Sequence, residues 1–309
     1  MGNLRLRVGI IAFLVAAFLA VLSISAPGVI SNPPETPAKG QLLAREYSSI
    51  GYFLYVPTSA DSMRPLSVLV ALRGIGDRAE DFATSLTAEA EARGWVLVVP
   101  QTPYNPDWKK VDALKSDAQS EMPWLESLLE SLPEETSLKL KDRVLLYGFS
   151  RGAQSAHRFA LMYPERVLGA AIMSAGAYTL PVDCNPASDG ETPLEFPLGV
   201  SDIKSYCGEP FDRNEVKQVA FWIGVGEKDN ASGEVSASFD RYIGTNRVDR
   251  AKSFAKAMTD LGAKTELQLF PNLAHQESAE SRERAFDFLK TIEKETILAG
   301  RPNQQPSDY

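Results

Sequence analysis

The sequence has few of the residues that bind metals or nucleic acids. Its 309 residues include two histidines and two cysteines, and Asp and Glu outnumber Lys and Arg by 40 to 32. The cations form no basic run, and phosphate binding needs clustered cations, so no nucleic-acid partner is expected. Cys184 and Cys207 have no histidine near them in the sequence. No metal site is therefore predicted.

Residues 1–25 have the pattern of a signal peptide or a membrane anchor. Arg5 and Arg7 precede an uncharged apolar run that extends to about Ile24. This order of charge and hydrocarbon is typical of secretory signals, and the small residues Ser23 and Ser25 favour cleavage before residue 26. The run is near the lower limit for crossing a bilayer, so an uncleaved anchor remains open. We expect an exported protein, secreted or periplasmic, that contacts a membrane only through this segment if it stays uncleaved.

Export gives the two cysteines a simple interpretation. In an oxidising compartment, one disulfide between Cys184 and Cys207 is the economical prediction. It would close a short loop and stabilise the fold by roughly 3 kcal/mol in the chain-entropy view. Two unrelated thiols are the alternative.

The rest of the chain divides into a tether, one large domain and a tail. Residues 26–44 are rich in proline and predict a tether, and residues 299–309 predict a disordered tail. Between them, residues 45–298 predict a catalytic domain in which short apolar runs alternate with longer amphipathic ones. Strands are predicted at 51–56, 66–72, 95–100, 143–147, 167–173, 219–225 and 265–270, and helices at 79–93, 116–132, 151–163, 247–261 and 279–297.

Strand–helix alternation predicts an α/β fold with a mostly parallel, doubly wound sheet. Residues 181–216 interrupt the alternation with five prolines and both cysteines. They predict a cap-like, disulfide-containing insertion over the edge or mouth of the sheet, after its sixth strand.

The strongest local motif is Gly148-Phe149-Ser150-Arg151-Gly152, which fits G-x-S-x-G. An apolar strand pattern precedes it and a helical pattern follows it, and this context is typical of a nucleophile elbow. The serine then stands beside a helix N-terminus, where backbone N–H groups are free. The alternative is a Gly/Ser turn that opens an ordinary helix.

A serine nucleophile needs a base, and the chain has two histidines to choose from. His157 lies on the same predicted helix as Ser150, roughly 10 Å along its axis at about 1.5 Å per residue, which is too far for a hydrogen bond. His275 follows the strand predicted at 265–270, where parallel sheets place ligand chemistry. His275 is therefore the predicted base and His157 a structural residue.

The third member of such a triad orients the imidazole from a loop between the serine and the histidine. Asp229 follows the strand predicted at 219–225 and is the choice, with Glu227 and Asp240 as alternatives. The predicted oxyanion donors are the backbone N–H groups of Arg151 and of Ile75, which lies in the glycine-rich loop after the strand at 66–72.

These motifs resemble the α/β-hydrolase superfamily from about residue 47 to about residue 294. The matching segments are LVALRGIGD, LLYGFSRGAQSAHRFALMYPERV, GVGEKD and FPNLAH. The sequence is most similar to the exported esterase branch, with polyhydroxybutyrate-depolymerase-like and feruloyl-esterase-like proteins. The resemblance implies a sheet of about eight strands, hydrolysis of carboxylic esters and no cofactor. That branch usually has His-Gly where this chain has Arg73-Gly74, so these two residues are candidate substrate contacts.

Together these features predict an exported serine hydrolase that cleaves a small-molecule or polymeric ester through an acyl-enzyme intermediate. Two alternatives remain. One is a peptidase or amidase of the same fold, although prolyl-type peptidases usually add a large second domain for which no residues remain. The other is a non-catalytic binding protein, which a missing triad member would have indicated.

Overall fold

A computed structural model describes residues 37–61, 63–185 and 191–299. The predicted signal peptide or anchor (1–25), most of the predicted tether and the tail beyond residue 299 lie outside the described residues. None of the described helices is both long and apolar enough to cross a bilayer.

Eight strands form one sheet in the order β1-β2-β4-β3-β5-β6-β7-β8. β2 is antiparallel to both β1 and β4, and all the other neighbours are parallel. The predicted mostly parallel sheet of about eight strands is confirmed. The strands are β1 Leu42–Tyr47, β2 Ile50–Tyr55, β3 Val68–Leu72, β4 Val96–Pro100, β5 Val144–Phe149, β6 Val167–Met173, β7 Ala220–Gly226 and β8 Thr265–Phe270.

Helices cover both faces of this sheet. The α-helices are α1 Ala79–Arg93, α2 Val111–Thr136, α3 Arg151–Met162, α4 Lys204–Cys207, α5 Arg213–Val216, α6 Asp240–Ile243, α7 Arg247–Leu261 and α8 Ala279–Ala299. Short 3-10 turns lie at Pro164–Arg166, Ser232–Glu234 and Ala237–Phe239.

Successive residues of each central strand pack into opposite layers, because strand side chains alternate between the two faces. Val68, Val70 and Leu72 pack into the apolar layer under α2, α3 and α7. Leu69 and Ala71 pack into the layer under α1 and α8. Strands buried on both faces read as continuous apolar runs, which is why β3, β4, β6 and β7 stood out in the sequence.

The insertion between β6 and β7 holds no disulfide, so the prediction of a bridge is wrong. Cys184 and Cys207 are both free thiols. Cys184 pairs through its backbone with Pro193. Cys207 ends α4, and its sulfur lies 3.2 Å from the carbonyl oxygen of Glu209.

Apolar side chains order this segment in place of a bridge. The buried residues that join the layer under α2 and α3 include Leu194, Phe196, Val200, Ile203, Tyr206 and Val216. At the other end of the insertion, Arg213 donates to the carbonyl oxygen of Pro181 (3.1 Å) and to the carboxylate of Asp183 (2.6 Å). Burial of several large apolar side chains supplies enough stabilisation for a loop of this length without a covalent link.

Candidate active site

Ser150 stands at a sharp turn between β5 and α3. Its backbone has φ 54° and ψ −109°, a conformation that L-residues rarely adopt and that is found where the surrounding structure enforces it. Gly152 allows this turn to pack against the sheet, because a Cβ there would lie 1.9 Å from the carbonyl oxygen of Leu72. The serine hydroxyl is thereby held above the carboxyl end of the sheet.

His275 lies on the loop after β8 and contacts Ser150. Asp229 lies on the loop after β7 and contacts His275. Ser150 Oγ lies 2.9 Å from His275 Nε2, and His275 Nδ1 lies 2.7 Å from Asp229 Oδ2. The ring of Phe149 stacks on the imidazole at 5.2 Å between centroids. The structure thus brings the three residues selected from the sequence into one hydrogen-bonded chain.

The two loops are packed directly against each other. The backbone N–H of Lys228 donates to the carbonyl oxygen of Leu273 at 2.9 Å. A Cβ on Gly226 would lie 2.2 Å from the same oxygen, so glycine is required for this approach. The distance between Asp229 and His275 is therefore fixed by backbone contacts on both sides.

Asp229 is the acid that contacts His275. Its side chain is almost completely buried, and its second oxygen, Oδ1, accepts a hydrogen bond from Arg247 Nη1 at 2.9 Å. Of the two alternatives, Glu227 is exposed, and Asp240 pairs with Arg250 at 2.7 Å. Neither alternative has a hydrogen bond to His275 among the contacts of the described residues.

His157 belongs to the core. Its Nδ1 donates to the carbonyl oxygen of Ala153 at 3.0 Å, and its Nε2 accepts from the backbone N–H of Thr179 at 3.0 Å. Burial, with the nearby charge of Arg158, holds its pKa well below the usual value. A buried neutral imidazole with both nitrogens occupied has no capacity left for acid–base chemistry.

A cavity of about 440 Å³ opens beside Ser150 and His275. Gly74, Ile75 and Arg151 line it, so the predicted oxyanion residues share the cavity with the serine. Arg73 does not line this cavity. Its guanidinium donates to the carbonyl oxygens of Gly74 (2.9 Å) and Thr102 (2.8 Å), and it therefore holds the loop instead of facing the cavity.

The side chain of Arg151 turns below the cavity into the interface between α2 and α3. Its guanidinium contacts Asp117, and its Nη1 donates to Gln154 Oε1 at 3.3 Å. Both the guanidinium and the carboxylate are buried. The positive charge of Arg151 is thus already balanced by a protein carboxylate.

Sequence reasoning missed the residues that form the opposite wall of the cavity. Trp108 and Lys109, which precede α2, line it together with Gly233, Glu234, Ser236 and Arg247. Arg247 is the first residue of α7, and only the fold brings it next to Asp229. No described residue of the 181–216 insertion lines the cavity, so the cover over the site comes from the segments before α2 and after β7.

The residues that the structure describes contain no cluster of His, Cys, Asp and Glu that could hold a metal ion. The chemistry that this arrangement can perform is proton transfer between a hydroxyl and an imidazole, next to backbone N–H groups at a helix N-terminus.

Comparison with known proteins finds esterases and other hydrolases. No family model matches the chain. Feruloyl esterase B of Thermothelomyces thermophilus is 26% identical over 152 residues, which are 48% of this chain. The chain matches about half, 50%, of the length of that relative.

Solved structures cover most of the chain. Poly(aspartic acid) hydrolase-1 from Sphingomonas sp. KT-1 superposes with a TM-score of 0.62 at 18% identity, over 80% of this chain and 98% of the other. Esterase PE8 superposes with a TM-score of 0.53 at 17% identity, over 82% of this chain and 99% of the other. A phospholipase/carboxylesterase from Dyadobacter fermentans superposes with a TM-score of 0.50 at 16% identity, over 78% of this chain and 95% of the other.

The resemblance to α/β-hydrolases and to feruloyl-esterase-like proteins that was predicted from the sequence is confirmed. With its sheet order and its strand–serine–helix turn, the chain has the fold of the α/β-hydrolases.

Proposed function

We propose that this protein is a serine hydrolase that cleaves carboxylic esters through an acyl-enzyme intermediate. The observation that carries the proposal is the hydrogen-bonded chain from Ser150 Oγ through His275 to Asp229, at the wall of a cavity large enough for a small ester. A serine hydroxyl becomes a nucleophile when an imidazole accepts its proton, and a buried carboxylate stabilises the resulting imidazolium.

In the proposed reaction, Ser150 Oγ attacks the ester carbonyl carbon while its proton passes to His275 Nε2. The tetrahedral intermediate collapses, the C–O bond to the alcohol breaks, and His275 returns the proton to the leaving alkoxide. Water then attacks the acyl-serine with His275 again as base, and the carboxylic acid and free Ser150 are released. Asp229 keeps the proton of Nδ1 in place throughout.

The developing oxyanion would be bound by the backbone N–H groups of Arg151 and Ile75. Arg151 starts α3, where N–H groups have no helical partner, and Ile75 lines the same cavity. One such donor contributes roughly 3 kcal/mol to transition-state stabilisation.

Ester substrates are supported by the names of a feruloyl esterase, an esterase and a phospholipase/carboxylesterase. Poly(aspartic acid) hydrolase-1 is named for a polymer with amide bonds, so the amidase stays the second candidate. Export is part of the proposal and is supported by the pattern of residues 1–25.

The test replaces the triad members one at a time. Ser150→Ala and His275→Ala should each lower kcat on p-nitrophenyl esters by about 10⁶-fold, and Asp229→Asn by about 10⁴-fold. Ser174→Ala is a matched control: Ser174 also follows a strand with a positive φ of 54°. Its hydroxyl has no partner among the contacts of the described residues. The control should keep its activity.

A fluorophosphonate probe separates an enzyme from a binding protein. The wild-type protein and Ser174→Ala should gain one adduct by intact mass, and Ser150→Ala should gain none. Unlabelled wild-type protein that is folded by circular dichroism would contradict the proposal. Cleavage of p-nitroanilides with kcat/KM above that of the matching esters would favour an amidase instead.

A further inference from the structure

Two side chains in the wall of the cavity each carry a hydrogen-bond donor that has no acceptor among the described residues. Gln154 Oε1 accepts from Arg151 Nη1, and this bond directs the amide nitrogen Nε2 away from Arg151. Among the contacts of the described residues, no group accepts from Gln154 Nε2. Arg247 Nε is buried and also has no partner. Both side chains line the cavity and are at least nine-tenths buried.

The two donors converge on Gly176, which lies in the loop after β6 and lines the same cavity. The position that a Cβ of Gly176 would occupy is 3.2 Å from Gln154 Nε2 and 3.7 Å from Arg247 Nε. The missing side chain therefore leaves the space next to both N–H groups open. A buried donor without an acceptor is costly, and a ligand oxygen that supplies the acceptor removes that cost.

We propose that Gln154 Nε2 and Arg247 Nε form a specificity subsite beside Gly176 that binds an uncharged oxygen acceptor of the substrate. The inference deepens the proposed function and rests on it: the preferred esters carry a carbonyl oxygen, apart from the scissile one, in the acyl or the alcohol part. Arg247 also holds Asp229, so one side chain contacts both the triad and the substrate.

The charges around the subsite favour a neutral acceptor over a carboxylate. Arg247 is already paired with Asp229 at 2.9 Å and with Glu234 at 3.2 Å. Arg250 donates to the carbonyl oxygen of Gly176 at 2.6 Å, and its charge is balanced by Asp240 at 2.7 Å. The charge of Arg151 is likewise balanced by Asp117. A carboxylate at Gly176 would add a negative charge near Asp229 and Glu234, while the arginines beside it already balance protein carboxylates.

The experiment measures kcat/KM on two series of esters of equal length. In one, p-nitrophenyl pentanoate is compared with its oxo derivatives, in which the added carbonyl is moved one carbon at a time along the acyl chain. In the other, the oxo group is moved along the alcohol of butyrate esters. At least one oxo ester should exceed its alkyl parent by about tenfold, the effect of one hydrogen bond to a charged donor.

Gly176→Ala should remove this preference while the alkyl esters are still cleaved, because the new methyl group fills the space in front of both donors. Gly233→Ala is the matched control. It makes the same change in the same cavity, but its Cβ would meet no atom within 4 Å. In Gly233→Ala the ratio of kcat/KM for oxo esters to kcat/KM for alkyl esters should stay unchanged. Gln154→Met, which removes the amide donor at similar length, should reduce the ratio without adding volume at Gly176.

If the alkyl esters are cleaved and every oxo ester has the same kcat/KM as its alkyl parent, the subsite is wrong and the proposed function stands. A preference that survives in both Gly176→Ala and Gln154→Met would overturn the subsite as well. A half-ester of a dicarboxylic acid that is cleaved faster than every oxo ester would overturn the neutral acceptor. If no ester of either series is cleaved, the proposed function itself fails.

Discussion

Arg247 contacts the carboxylate of Asp229 on the side that His275 leaves free. Nη1 of Arg247 donates to Oδ1, while Nδ1 of His275 uses Oδ2, so both oxygens have a charged or polar partner. Because Arg247 and Asp229 are both buried, the loss of one would leave the other with an uncompensated charge. In the proposed reaction Arg247 would therefore position Asp229 and also serve as a donor in the proposed subsite.

Replacement of Arg247 tests this positioning role. Arg247→Met should lower kcat by about 10-fold to 100-fold, because Asp229 loses its second partner. On alkyl esters the loss should appear in kcat and not in KM, because Arg247 acts there through Asp229.

The control for this loss lies one turn further along α7. Arg250 is also buried but pairs with Asp240 and not with Asp229. Arg250→Lys should change thermal stability and leave kcat on alkyl esters unchanged. Arg247→Lys keeps the charge and should lower kcat less than Arg247→Met. Equal kcat values in wild type and Arg247→Met would show that Arg247 does not position Asp229.

At the scale of elements, α2 and α3 meet through polar groups as well as apolar ones. Ser155 on α3 donates to Glu121 Oε2 on α2 at 2.6 Å, and the other oxygen of Glu121 has no partner among the described contacts. Burial raises the pKa of Glu121 from 4.5 to about 7, although Ser155 and Arg151 favour its charged form. This carboxyl group lies beside α3, the helix that begins directly after Ser150.

The raised pKa of Glu121 predicts a loss of stability as the pH rises. Below pH 4.5 Glu121 is protonated in both states, and its contribution is fully present. Between about pH 4.5 and 7 the unfolded chain releases the proton and the folded one keeps it. The wild-type free energy of unfolding should therefore fall by about 3 kcal/mol over this range.

Glu121→Gln cannot ionise and should remove that fall. Urea unfolding of both proteins at several pH values measures it. The difference in free energy of unfolding, variant minus wild type, should grow from pH 4.5 to 7 and then level off. A constant difference across the range would show that Glu121 ionises in the folded protein as easily as in the unfolded one.

The elements themselves could be predicted where local pattern and packing agree. The predicted ranges of α1 and α7 coincide with Ala79–Arg93 and Arg247–Leu261 in the structure. α2 was predicted to end before Pro133, a residue that normally stops a helix. The helix continues for one more turn to Thr136, whose buried hydroxyl donates to the carbonyl oxygen of Leu132 at 2.6 Å. β1 was missed, since an edge strand with exposed polar residues has little apolar alternation.

The site could be predicted only in the part that chain order determines. Ser150, Asp229 and His275 each follow a strand, so the sequence alone gave three candidates that the structure brings into contact. Their catalytic roles stay a prediction. The wall with Trp108 and Arg247 could not be predicted, because it depends on how the segments before α2 and after β7 fold over the sheet.

At the scale of the whole molecule, Glu293 on α8 joins elements at the edge of the sheet opposite to the active site. It accepts a hydrogen bond from the hydroxyl of Ser67, which precedes β3. It accepts another from Nε1 of Trp95, which precedes β4, at 3.0 Å. Lys141, which precedes β5, places its Nζ 3.0 Å from Glu293 Oε1. Lys290 places its Nζ 2.7 Å from Glu293 Oε2. A single carboxylate thus ties α8 to the amino ends of three parallel strands.

These contacts set the charge state of Glu293. Burial alone would raise its pKa, but the hydrogen bonds from Lys290, Ser67, Trp95 and Lys141 outweigh burial and lower the pKa from 4.5 to about 2. A carboxylate with a lowered pKa stabilises the folded state above the unfolded value and loses that contribution as the pH falls. The stabilisation should be complete above about pH 5 and should disappear as the pH approaches 2.

Glu293→Gln should therefore lower the free energy of unfolding by about 3 kcal/mol at neutral pH, with a smaller loss in acid. Urea unfolding at neutral pH and near pH 3 measures both values. Glu295→Gln is the matched control on the same helix: Glu295 pairs with Lys264 in solvent, with both side chains about half exposed, and exposed pairs contribute little. Because Glu293 lies at the edge of the sheet away from Ser150, kcat per folded molecule should not change. A loss at neutral pH no larger than that of Glu295→Gln would mean that packing, and not this carboxylate, holds α8 on the sheet.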